Sequence, residues 1–152
     1  MDRCWAKSLG DCSNRISGEH LFTAGLFEGD KLSIQGMEWC KTEVKEVGKK
    51  SLVKNVLCTT HNSRLAILDD EAIHAFKIFQ DSVKLQQVRN QMKARYWTVE
   101  HWKIDGPLLE RWFLKTLITL ACEGEQKIGP DSGEVGQPTP SLVRIAYGLE
   151  CQ

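Results

Sequence analysis

Four side chains in the first half of the chain have the types and spacing to hold a metal ion. Cys4 and Cys12 form a loose pair with seven residues between them, and Cys58 and His61 form a tight Cys-x-x-His pair. Structural zinc takes four tetrahedral Cys or His ligands, commonly as two local pairs joined by a long insertion. A Cys-x-x-His where a strand gives way to a helix turns both side chains toward one ion, with helix N-terminal amides facing the thiolates. The seven-residue spacing of the first pair needs a wide turn, so Cys40, beside Trp39, stands as an alternative to Cys12. Cys122 and Cys151 read as bystanders.

The elements around these residues are short. Residues 1–68 are punctuated by glycine at positions 10, 18, 25, 29, 36 and 48. The alternation in 31–37 and the apolar run 51–57 read as strands, the second ending on Cys58. A module this small lacks the core to stand alone, a situation in which a bound metal commonly supplies the missing stability. Residues 69–97 show apolar positions at three- and four-residue steps, with Asp69 or Asp70 as cap; a second helix is expected over 107–123, opened by Pro107 and closed by Gly124. Residues 129–140 read as a loop, and 141–152 as a terminal apolar element, docked on the helices or left by truncation of a longer protein. The expected fold is therefore α+β: a zinc-bound module over 1–68 and a helical annex over 69–128.

Composition narrows the function classes. Twenty basic and twenty acidic residues give a formal net charge of zero, against bulk electrostatic binding of nucleic acid. No apolar run reaches the roughly 20 residues that a membrane helix needs. The N-terminus has no apolar leader and the cysteines read as thiols or ligands, which points to the cytoplasm and to no membrane partner.

Between the two cysteine pairs lies Ser17-Gly18-Glu19-His20, and the second pair continues as His61-Asn62-Ser63-Arg64. A cysteine pair, an acidic-His dipeptide, a hairpin-like insertion and then Leu57-Cys58-x-x-His61-Asn62 opening a helix resembles the HNH, or His-Me finger, endonuclease superfamily, over about residues 4–72. The resemblance implies a ββα treble-clef finger with one structural zinc. It further implies a metal-dependent hydrolase of phosphodiester bonds in nucleic acid, DNA above all. In that reading His20 is the general base, and Glu19 and Asn62 hold a catalytic Mg or Mn ion. Arg15, Lys54 and Arg64 are then candidates for phosphate contacts. His61 stands where the family has its last cysteine ligand, Asn62 where a histidine is usual, and Asn55 is the candidate for the middle asparagine. The alternative is a catalytically silent finger used for nucleic-acid or protein binding, its annex offering a face to a protein partner or a second copy. His20 and Glu19 also admit local roles, Glu19 by pairing with Arg15. His74 and His101 read as packed or partly exposed side chains, and Trp97, Trp102 and Trp112 as core.

Overall fold

The computed structural model describes residues 3–37, 39–93, 98–124, 128 and 135–150. Its α+β fold contains, among the described residues, two small antiparallel sheets and three α-helices. The first sheet pairs β1 (Ile16–His20) with β4 (Val53–Cys58); the second pairs β2 (Lys31–Ile34) with β3 (Lys45–Gly48). The helices are α1 (Thr59–Gln91), α2 (Gly106–Glu123) and α3 (Pro140–Ala146).

The strand expected over 31–37 closes at Ile34, since Gly36 takes the left-handed region at φ 91°. The one expected over 51–57 is delayed to Val53, because Lys49–Leu52 form a 3-10 turn. In the first sheet, Glu19 lies opposite Lys54 and His20 opposite Val53, with a bulge between Ser17 and Glu19. Gly18 is required at that bulge: a Cβ there would stand 2.5 Å from Cγ1 of Val53. The backbone amide of Trp5 donates to the carbonyl of Val56 at 3.0 Å, so the N-terminal segment lies along β4.

The helix expected from Asp69 begins ten residues earlier, at Thr59, and crosses position 68–69 without a break. Cys58 is its N-cap, its sulfur accepting the amide of His61. Asp69 sits mid-helix and uses its carboxylate on Lys115 instead of on a helix terminus. At the far end α1 stops at Gln91; the part of the expected helix over 94–97, Trp97 included, lies outside the described residues.

Helix α2 matches its expected span, with Pro107 in the first turn and the Asp105 side chain accepting the amide of Leu108. The terminal apolar element is α3, capped by Thr139. The first half of the expected 129–140 loop, residues 129–134, lies outside the described residues.

One core joins these pieces: Cys4, Trp5, Leu57, Cys58, Leu65, Leu68, Ala72, Trp112, Ile118, Val143 and Ala146 cluster in the interior. The annex thus packs directly on the N-terminal module. Among the described residues, no helix is long and apolar enough to cross a membrane.

Candidate metal centre and the strand beside it

The N-terminal segment, the loop after a 3-10 turn at Lys7–Leu9, the end of β4 and the first turn of α1 meet at one point. There the ligand atoms of Cys4, Cys12, Cys58 and His61 all lie within 4.8 Å of one another. The Nδ1 of His61 is 3.4 Å from the sulfur of Cys4, 3.6 Å from that of Cys12 and 3.3 Å from that of Cys58. A tetrahedron with Zn–S of about 2.3 Å and Zn–N of about 2.0 Å places sulfur and nitrogen about 3.5 Å apart. The donor set therefore has the dimensions of a metal-binding group compatible with zinc. Cys12 belongs to it and Cys40 does not: Cys40 is buried elsewhere, bridged to Met37.

Hydrogen bonds prepare the thiols unequally. Burial pushes Cys4 up to about 12 and also raises Cys12. Burial would raise Cys58 too, but the His61 amide and Ser13 favour its thiolate and bring it down to about 7. Burial, helped by Arg64, lowers His61, keeping the imidazole neutral as a ligand requires. Tyr147, just after α3, closes the site. The hydroxyl of Tyr147 donates to the His61 carbonyl at 3.0 Å, and its ring meets those of His61 and Trp5 edge-on.

The strand carrying Glu19 and His20 lies beside this centre. Successive residues on a strand point to opposite faces, so Glu19 and His20 diverge. Glu19 is 5% exposed and forms an ion pair of 2.6 Å with Lys115 of α2, not with Arg15. Lys115, itself 3% exposed, also holds Asp69 at 2.6 Å. The hydroxyl of Thr23 donates to Asp69 and accepts from the Trp112 indole at 2.8 Å. Burial raises Glu19 above the ordinary carboxylate range and Asp69 adds to the rise, while Lys115 opposes both. A carboxylate so occupied does not fit as a ligand for a catalytic divalent ion.

His20 is half-buried on β1, and its ring has no hydrogen bond or ion pair among the described residues. Asn62 does not cap α1. Its Nδ2 donates to Ser17 Oγ at 3.0 Å and to the Gly18 carbonyl, tying the first turn of α1 to β1 and leaving Oδ1 without a donor among the described residues. Arg15 is exposed just ahead of β1, Arg64 is exposed on α1 at 4.0 Å from Asp11, and Lys54 lies on β4. Asn55 is on β4 as well, on the side of Gly18. His74 donates from Nε2 to the Lys103 carbonyl, 3.0 Å away, and His101 is exposed. Trp112 is core as expected, whereas Trp102 is exposed.

Sequence reasoning missed Lys115. It lies in an apolar helix and its partners are at positions 19 and 69, so no local spacing signals it. No family model matches the chain, and no curated protein or solved structure is significantly similar to it.

Proposed function

We propose that the chain is a zinc-braced finger of the treble-clef, HNH-like type that binds the phosphodiester backbone of nucleic acid. The observation that carries this reading is the Cys4, Cys12, Cys58 and His61 group, which brings the N-terminal segment and the end of β4 to the start of α1. Arg15 is exposed just ahead of β1, the strand paired with β4, and Arg64 is exposed on α1. A zinc ion at the four ligands supplies a fixed point for the fold. The net charge of zero confines the grip to this local cluster, so binding is weak to moderate and steeply reduced by salt. Fluorescence anisotropy with labelled duplex DNA tests it. Arg15→Ala together with Arg64→Ala should weaken binding at least tenfold at low salt; unchanged affinity refutes the assignment.

Hydrolysis is the second reading, favoured by the ring of His20 and the Oδ1 of Asn62, neither of which is engaged among the described residues. An imidazole on that strand suits proton abstraction from water. Glu19 then serves as a brace for the strand, through Lys115, and not as an ion ligand. Plasmid incubated with the protein and Mg or Mn decides between binding and cutting. Nicking that disappears in His20→Ala supports hydrolysis, and no nicking by the wild type leaves binding alone.

A further inference from the structure

The four members of the metal-binding group are not held alike. Cys4, Cys58 and His61 are fully buried, whereas Cys12 is half-buried. The first three sit on hydrogen-bonded backbone. Cys58 ends β4 and caps α1, and His61 lies in the first turn of that helix. Cys4 is fixed by its carbonyl, which accepts the Lys7 amide at 3.0 Å, and by the next amide, which bonds to Val56 of β4.

Cys12 stands instead on a short bridge. On one side Gly10 donates to the Lys7 carbonyl at 3.1 Å; on the other, Ser13 is pinned to α1 by Thr59 Oγ1, 2.7 Å away, and by the Thr60 amide. Between these anchors the backbones of Asp11 and Cys12 make no hydrogen bond among the described residues. The bridge is contorted as well. Gly10 has φ 75° and ψ −164°, a region open essentially to glycine alone, and Asp11 follows at φ 51°. The sulfurs differ in the same sense. That of Cys4 accepts the Cys58 amide at 3.4 Å, and that of Cys58 accepts the His61 amide at 3.5 Å. No amide donates to the Cys12 sulfur among the described residues, where its hydrogen-bond contact is with the His61 ring. A hydrogen bond to a ligating sulfur fixes its position and stabilises its charge, so Cys12 is the thiol least secured by the fold.

We propose that Cys12 is the exchangeable ligand of this centre: metal is loaded and withdrawn on its side, where a small external thiol takes its place. The inference rests on the reading of the four side chains as a zinc centre. Cys4 and Cys58 belong to the core cluster and stay as the seat, with His61, while the bridge between Gly10 and Ser13 swings. The exchange is redox-neutral. The bond from the metal to Cys12 breaks as one to the incoming sulfur forms, and Cys12 takes up the proton that the incoming thiol gives up.

Limited alkylation of the zinc-loaded full chain with iodoacetamide, mapped by mass spectrometry, tests the order of release. Cys12 should react at least tenfold faster than Cys4 and Cys58; equal rates, or either of the others first, overturn the proposal. Gly10→Ala reads the bridge itself while keeping all four ligands. Its Cβ meets nothing within 4 Å, so the effect is confined to a backbone conformation that alanine disfavours. The variant should speed zinc transfer to a colorimetric chelator at least fivefold, and added β-mercaptoethanol should speed transfer from the wild type. Cys12→Ser should still take up cobalt, with the thiolate-to-cobalt absorbance of one sulfur missing, whereas Cys4→Ser should take up none. Cobalt lost equally from both serine variants, or transfer from Gly10→Ala at the wild-type rate, overturns the proposal. A wild type without thiolate-to-cobalt absorbance refutes the metal centre itself, which separates that failure from failure of the exchange alone.

Discussion

The sulfur of Cys58 accepts the His61 amide at 3.5 Å while standing 3.3 Å from that residue's Nδ1, so one side chain caps α1 and faces the metal position. The cap favours the thiolate, which is the form a metal needs, and ligation in turn locks the cap. Helix start and metal centre are therefore one cooperative unit. Structural zinc contributes about 10–16 kcal/mol in finger peptides, whereas a whole domain is stable by about 5–15 kcal/mol. If the four ligands hold zinc, the segments they join should accordingly not stay folded without it. Cys58→Ser is expected to reduce bound zinc from about one per chain to near none, and to abolish the cooperative thermal transition. Elemental analysis and calorimetry check both. A folded, metal-free Cys58→Ser protein would contradict the reading. The cysteine pairs and the Cys-x-x-His spacing made this centre legible in the sequence. A helix opening at the Cys-x-x-His pair was legible too; its continuity with the helix expected from Asp69 was not, because Asp69-Asp70 imitates a cap, while Thr59, Thr60, Asn62 and Ser63 are weak helix formers. The Cys58 cap, whose sulfur accepts the His61 amide, overrides that local preference.

At the level of elements, β1 is held from three directions: by β4 in the sheet, by Asn62 of α1 and by Lys115 of α2. The sheet contact leaves no room at Gly18. Gly18→Ala brings a methyl to 2.5 Å from Val53 Cγ1, and overpacking of this kind costs about 1–3 kcal/mol. Urea denaturation should record that loss, and Gly18→Ala combined with Val53→Ala should recover most of it. The Lys115 contact is asymmetric, because one buried cation serves two carboxylates. Lys115→Met leaves Glu19 and Asp69 buried together, and breaking such a pair from one side costs about 3–5 kcal/mol. Glu19→Gln, by contrast, leaves Lys115 balanced by Asp69 and should cost far less. The pH dependence follows from the direction of the Glu19 shift. Burial raises its folded value above the unfolded one. Its stabilising contribution is therefore fully present below the unfolded value and is lost as pH rises through the folded value. The wild type should lose stability across that window relative to Glu19→Gln, as measured by urea midpoints between pH 4 and 7. A steeper decline in the variant would exclude the assignment. None of this was legible beforehand, because Lys115 meets partners far away in sequence and its helix reads simply as apolar.

For the molecule as a whole, α1 is the spine. Its 33 residues span about 50 Å at the usual rise of about 1.5 Å per residue. Its buried side chains end at Ile78, so the far part stands clear of the core, with Phe79 48% exposed and Phe113 of α2 49% exposed. The near part carries the metal centre, which the end of the chain seals. Arg111 Nε donates to the Ala146 carbonyl at 3.0 Å, holding the end of α3 against α2, and Tyr147 follows directly. Tyr147 places its ring against His61 and Trp5 and its hydroxyl on the His61 carbonyl. Burial pushes the phenol well above its usual range, so it remains a donor throughout. Tyr147→Phe removes the hydrogen bond alone and should cost about 1 kcal/mol. Tyr147→Ala also removes the ring, for which about 3–5 kcal/mol is the usual range in cores. Opening the centre to solvent should further speed zinc transfer to a colorimetric chelator by at least tenfold, while Tyr147→Phe stays within a few-fold of wild type. Equal release rates in all three proteins would mean that the last helix is not a cover, and that the annex meets the finger only through Lys115 and the shared core.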